Sequence, residues 1–149
     1  PVTETLFESC DKNDPLSVKG KTNSKYRYYK LSAKAKGTAG EYPSTVSSDS
    51  GLFDAMKSEK NVKAIVFGHD HLNSFTANID GIDIIQTPAA SFRCYGDENR
   101  GVRVFTFEEN APDEYKNHML NYFDLIKPTL RSRLRYFLDA DDKLGGIRP

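Results

Sequence analysis

The chain has no tryptophan, only two cysteines among 149 residues, and no excess of either charge, with 21 basic residues balanced by 21 acidic ones. Each shortage excludes something. Two thiols, Cys10 and Cys94, cannot build a disulfide framework, and they leave either one bridge or two free groups. A formal net charge of zero provides no global field that would gather nucleic acid or an anionic membrane surface. Long apolar runs are missing too: the longest, Ala64 to Gly68, falls far short of the roughly 18 residues a membrane span requires, so a soluble chain with no membrane partner is expected. The N-terminus shows no basic start, apolar block and small-residue cleavage site. It opens on Pro1 rather than Met, as a chain cut from a longer polypeptide would, and it leaves the compartment unspecified.

What is present is unevenly distributed. Between Pro15 and Gly40 the chain carries Lys19, Lys21, Lys25, Arg27, Lys30, Lys34 and Lys36 and no acidic residue. Tyr26, Tyr28, Tyr29 and Leu31 form a short β-like run inside this segment, and Gly20, Gly37 and Gly40 suggest loops on both sides. The segment reads as a basic insert over residues 15–40, followed by a hydrophilic connector from Tyr42 to Ser50.

From Ser50 onward the pattern sharpens. Leu52, Phe53 and Met56 fall at helical spacing, Asp49 or Ser50 can cap the first turn, and Asn61 marks the stop. Val62 to Phe67 is nearly continuous and β-branched, as in a strand buried on both faces. Phe75 to Ile79 and Ile82 to Gln86 are two further strands, and the Asp80-Gly81 between them suits a two-residue hairpin turn. Val102 to Phe107 predicts another strand. Beyond Asn110, Tyr115, Met119, Tyr122, Phe123 and Ile126 read as one helical stripe, and a second helix is expected over Leu130 to Leu138 with Leu130 and Leu134 inward. The tail from Lys143 to Pro149 reads as frayed.

The chemistry concentrates at Gly68-His69-Asp70-His71, directly after the best strand. If the chain stays extended there, His69 and His71 project to one side and Asp70 to the other. Two convergent imidazoles suit Zn, Mn, Fe or Ni, and strand ends facing a crevice are where open α/β sheets hold ligands. Gly68 would let the backbone turn without crowding an ion. Other H-x-H patterns fail on their companions. A metallo-β-lactamase run would need Asp and His where Asn73 and Ser74 stand, a cupin run would need a Glu near Phe75 to Ala77, and an amidohydrolase would need more histidines than the remaining His118.

Taken with Ser50-Gly51-Leu52-Phe53, Gly68-His69-Asp70-His71-Leu72-Asn73, Gly81-Ile82, Tyr95-Gly96 and Arg100-Gly101-Val102-Arg103-Val104, the stretch from about Ser47 to Phe107 resembles the C-terminal part of calcineurin-like metallophosphoesterases, in particular the purple-acid-phosphatase-related branch. The resemblance implies an α/β (α+β) fold, the C-terminal part of a β-sandwich flanked by helices (αββα). Residues 1–110 would then belong to the phosphoesterase domain and residues 111–149 to a C-terminal helical extension.

It also implies a metal-dependent phosphoester hydrolase, a phosphatase or phosphodiesterase. His69 and His71 would each ligate one of two divalent or trivalent ions (Zn, Mn or Fe), with Gly68, Asp70 and Asn73 orienting the loop around them. The substrate would be a small-molecule phosphoester, attacked by metal-bound hydroxide. The D-x-H, G-D-x-x-D and G-N-H-[DE] motifs and the further single histidine of the family do not occur here. Hence the 149-residue chain alone is expected to be inactive. The alternative is a nucleic-acid-binding or interaction domain using the basic Tyr/Lys segment, with nucleic acid disfavoured because the rest of the chain offsets those charges.

Overall fold

The computed structural model describes residues 2–44, 48–126, 129–131 and 134. It is an α+β structure, mostly strands with few helices, and it divides into two compact units, Pro1–Gln86 and Thr87–Pro149.

In the first unit a 3-10 turn, Val2–Leu6, leads into β1 (Phe7–Ser9), followed by β2 (Val18–Thr22) and β3 (Lys25–Leu31). These form an antiparallel sheet in the order β1-β3-β2. Residues 18–31 of the basic insert are therefore a hairpin rather than a strand between loops, and the end of the insert, Ala35–Thr38, is a further strand. Gly20 lies inside β2, where a side chain would collide with the Tyr42 ring, and the turn is made by Asn23 and Ser24 at φ 50° and 63°. Two consecutive left-handed residues match the right-handed twist of the strands they join. Asn-Ser is a weaker signal for this turn than Asn-Gly, which is why the sequence did not announce it.

The loop before β2 is tied down by one carboxylate. Asp14 Oδ1 accepts from the Leu16 N–H at 3.0 Å and Oδ2 accepts from Lys30 Nζ at 3.1 Å. The Leu16 amide first, then the Lys30 ammonium, hold the Asp14 carboxyl below its usual range. The sign of the linkage follows. This contact stabilises fully above the ordinary aspartate pKa, and its contribution fades as pH falls through the lowered folded value. A carbon-detected NMR titration should show Asp14 protonating at lower pH than a model aspartate, with the shift reduced in Lys30→Met; an unshifted midpoint contradicts it.

The second sheet of this unit has the order β4-β6-β7-β5, from β4 (Ala35–Thr38), β5 (Ala64–Phe67), β6 (Ser74–Ile79) and β7 (Ile82–Gln86). Asp80 and Gly81 make the β6–β7 turn at φ 52° and 84°, as their sequence foretold. β5 pairs with β7 in parallel, while β6 runs antiparallel to both β4 and β7, so β4 and β5 run the same way and the connection between them must cross over; helix α1 (Leu52–Glu59) lies in that connection. Its N-cap is Gly51 in the left-handed region, and its first turn has no side-chain cap. Asp49 instead accepts from the Gly51 N–H. Gly37, at φ 133°, lies so close to Ser74 O and the Phe75 backbone that only glycine lets β4 pair with β6.

The core gathers Leu6, Phe75, Ala77, Ile82 and Ile84, with Phe7 and Leu31 of the first sheet and Phe53 and Met56 of α1 packed against it. β5 departs from its expected burial. It is an edge strand whose Val66 is 51% exposed, because an unbroken apolar run reports what a strand could bury and not how many neighbours it finds.

In the second unit β8 (Gly101–Glu108) pairs antiparallel with β9 (Ala111–Asn121), and helix α2 (Tyr122–Ile126) follows. The helical stripe predicted from Tyr115 is thus corrected: residues 111–121 are strand, and helix starts only at Tyr122. Tyr115 and Met119 lie four apart, and four residues return to the same face in a helix and in a strand alike. The decisive sign is the alternation of half-buried Tyr115, Asn117 and Met119 with exposed Lys116 and His118. Most of the second predicted helix and the whole tail from Lys143 lie outside the described residues. Within them, Leu130 and Leu134 are exposed rather than inward. Both cysteines are free thiols.

Candidate metal centre

The Gly68–Asn73 segment leaves the C-terminal end of β5 and immediately stops being extended: His69 and Asp70 form a bend, and His71 and Leu72 a turn. Asp70 therefore does not point away from its neighbour. The Asp70 residue is 5% exposed, and its Oδ1 stands 3.2 Å from His69 Nδ1. The His69 imidazole is largely open to solvent, while His71 is half-buried.

Two side chains of this turn fix it from within. Asn73 is fully buried, and its Oδ1 accepts from the backbone N–H groups of Gly40 and Glu41 at 3.0 and 3.1 Å. Asp70 Oδ1 accepts from the Ser44 N–H at 3.1 Å, and the Asp70 carbonyl accepts from Gln86 Nε2 at the end of β7. The bonding is reciprocal. Glu41 Oε1 accepts from the Leu72 N–H at 2.9 Å, and the Leu72 carbonyl takes the Gly40 N–H at 3.1 Å. A Cβ at Gly40 would press on Leu72, so the two segments meet closely. Residues 40–44, read from sequence as connector, are thus the other half of the loop's support. Their signal, a Gly-Glu pair some thirty positions upstream of the Leu-Asn it binds, has no local periodicity to expose it.

Gly68 plays no steric part within this chain. Its φ is not left-handed, and nothing lies within 4 Å of where its Cβ would stand. A cavity of about 490 Å³ opens beside the turn. His69 and Asp70 lie on its wall with Phe53, Ile65, Phe67 and Ile79, whereas His71 does not.

The donor set can be compared with what an ion requires. A tetrahedral site takes at least three protein ligands, and a pair of ions takes more. Here the turn offers two imidazoles, and the adjoining carboxylate already accepts from Ser44 and faces His69. Among the described residues no group of three or more His, Cys, Asp or Glu is placed to hold a metal ion. The side chains of the described residues do not by themselves fit a dinuclear centre.

Comparison with known proteins narrows the context. No family model matches the chain, and no solved structure matches it. The chain is 31% identical over 61 residues to "Probable inactive purple acid phosphatase 29" of Arabidopsis thaliana, a match that covers 41% of this chain and 16% of that protein. The chain thus spans about a sixth of the length of the curated relative it matches, and the similarity is confined to that 61-residue stretch.

Proposed function

We propose that this chain supplies one loop of a phosphoester-hydrolysing metallophosphoesterase domain, with His69 and His71 as ligands to two divalent or trivalent ions (Zn, Mn or Fe) whose remaining ligands come from outside these 149 residues. Residues 1–110 form the C-terminal part of that domain, and the substrate is a small-molecule phosphoester. The observation that carries the reading is the support of the Gly68–Asn73 turn: Asp70 and Asn73 tie the turn that bears His69 and His71 to segment 40–44. The related stretch of a purple acid phosphatase relative supports the same reading, and that relative is itself named inactive. Among the described residues no helix is long and apolar enough to cross a membrane.

The purified chain, supplied with Zn, Mn or Fe, is expected to turn over neither p-nitrophenyl phosphate nor bis(p-nitrophenyl) phosphate. It should still bind Zn weakly in calorimetry, and His69→Ala/His71→Ala should remove that binding. Hydrolysis abolished by His69→Ala would overturn the dependence on outside ligands. Zn binding indifferent to both substitutions would overturn the ligand assignment.

A further inference from the structure

The β2–β3 hairpin carries a second feature, unrelated to the histidine turn. Lys19 stands opposite Tyr28 and Lys21 opposite Tyr26, so all four side chains share one face of the hairpin. Lys19, Lys21 and Tyr26 are exposed, Tyr26 by 64%, and the other face of the sheet is packed by Val18, Tyr29 and Tyr42. Both ammonium groups lie over one ring: Lys19 Nζ is 4.3 Å and Lys21 Nζ 5.9 Å from the Tyr26 centroid. Lys25 and Arg27, also exposed, stand opposite Thr22 and Gly20 and so alternate onto the other face of the hairpin. Glu8 and Asp14, the carboxylates in ion pairs with this sheet, both go to Lys30 rather than to these cations.

We propose that this face of the hairpin binds single-stranded nucleic acid, with Tyr26 as a stacking surface and Lys19 and Lys21 taking successive phosphates. Three properties match that ligand. An exposed tyrosine in a rigid strand offers a flat surface on which any base can stack at little conformational cost. The strand rise sets Lys19 and Lys21 about 6.6 Å apart, a spacing suited to the phosphate repeat of an extended single strand. Unopposed cations around an aromatic face favour a polyanion that also carries rings, rather than an apolar partner or an acidic peptide.

Fluorescence anisotropy of the full 149-residue chain with a labelled oligothymidine tests this. With two phosphate contacts, affinity should fall roughly 7-fold between 50 and 200 mM salt. Lys19→Glu/Lys21→Glu should flatten that dependence, and Tyr26→Ala should weaken binding about 5- to 150-fold while Tyr26→Phe keeps most of it. All three side chains are exposed, so circular dichroism should show every variant folded. Absence of binding at 50 mM salt overturns the proposal, as does binding that ignores the lysine replacements. Equal retention of wild type and Tyr26→Ala on heparin, on phosphatidylserine vesicles and on the oligonucleotide also overturns it, because the hairpin would then be a general polyanion surface.

Discussion

Replacing Asn73 with alanine is expected to destabilise the unit formed by Pro1–Gln86 by about 2–3 kcal/mol, seen as a lowered urea midpoint with little change in slope. The side chain is completely buried and accepts from two backbone amides. After its loss the Gly40 N–H still reaches the Leu72 carbonyl, but the Glu41 N–H loses the acceptor it has in Asn73. An amide left without an acceptor away from water costs its desolvation, which is why one small side chain has so large an effect. Hydrogen exchange gives the local signature: protection at Glu41 should fall further than protection within β6 and β7. Asn73→Asp keeps both acceptor lone pairs but buries a charge in the same place, and it should not restore wild-type stability. A loss below about 0.5 kcal/mol for Asn73→Ala would mean that residues 40–44 are held by other contacts and that Asn73 does not anchor the histidine turn.

In the other unit, Arg100→Ala is expected to cost about 3–5 kcal/mol. Arg100 is only 2% exposed, and its guanidinium is spent on the loop that precedes it. Nη1 donates to the Ser91 carbonyl and Nη2 to the Cys94 carbonyl, while the group stacks over Phe92, 5.3 Å from its ring centre. Gly96 gives it room, since a Cβ there would stand 2.7 Å from the guanidinium carbon. The Arg100 backbone also joins the sheet to α2, its carbonyl accepting from the Tyr122 N–H at 2.8 Å. A forked, planar cation can serve two carbonyls and a ring at once, whereas the point charge of lysine cannot. Arg100→Lys should therefore recover only part of the loss. Arg100→Met restores volume without donors, so its shortfall from wild type measures the two carbonyl bonds. If Arg100→Ala costs under about 1 kcal/mol in urea unfolding, the loop from Ser91 to Cys94 is organised by something else.

Both residues were visible in the sequence without their roles. By the family resemblance Asn73 belongs near an ion, and Arg100 belongs only to the string that carries that resemblance. The difference lies in where their partners sit. Asn73 reaches residues more than thirty positions upstream, and Arg100 reaches carbonyls six and nine positions back across a loop with no repeating pattern. Sequence periodicity registers faces of regular elements, not side chains that bond to irregular backbone. The histidine turn shows the same limit. Treating His69 to His71 as extended put Asp70 on the far side, but once the strand ends, the bend returns its carboxylate to within 3.2 Å of His69.

By itself the sequence determined the elements whose evidence is local: helix α1, strands β5 to β8, the Asp80-Gly81 hairpin, and the abrupt end of β5 at the Gly-His-Asp-His run. Apolar spacing and turn residues act within a few positions, so they can be read without knowing what lies nearby in space. Only the tertiary structure decided the rest. It made β5 an edge strand, turned residues 18–31 of the basic insert into a hairpin with Lys19, Lys21 and Tyr26 on one face, and chose strand over helix for residues 111–121, where a four-residue repeat fits both. It also spent Asp70 and Asn73 on segment 40–44, because buried amides must find acceptors wherever the chain brings them together.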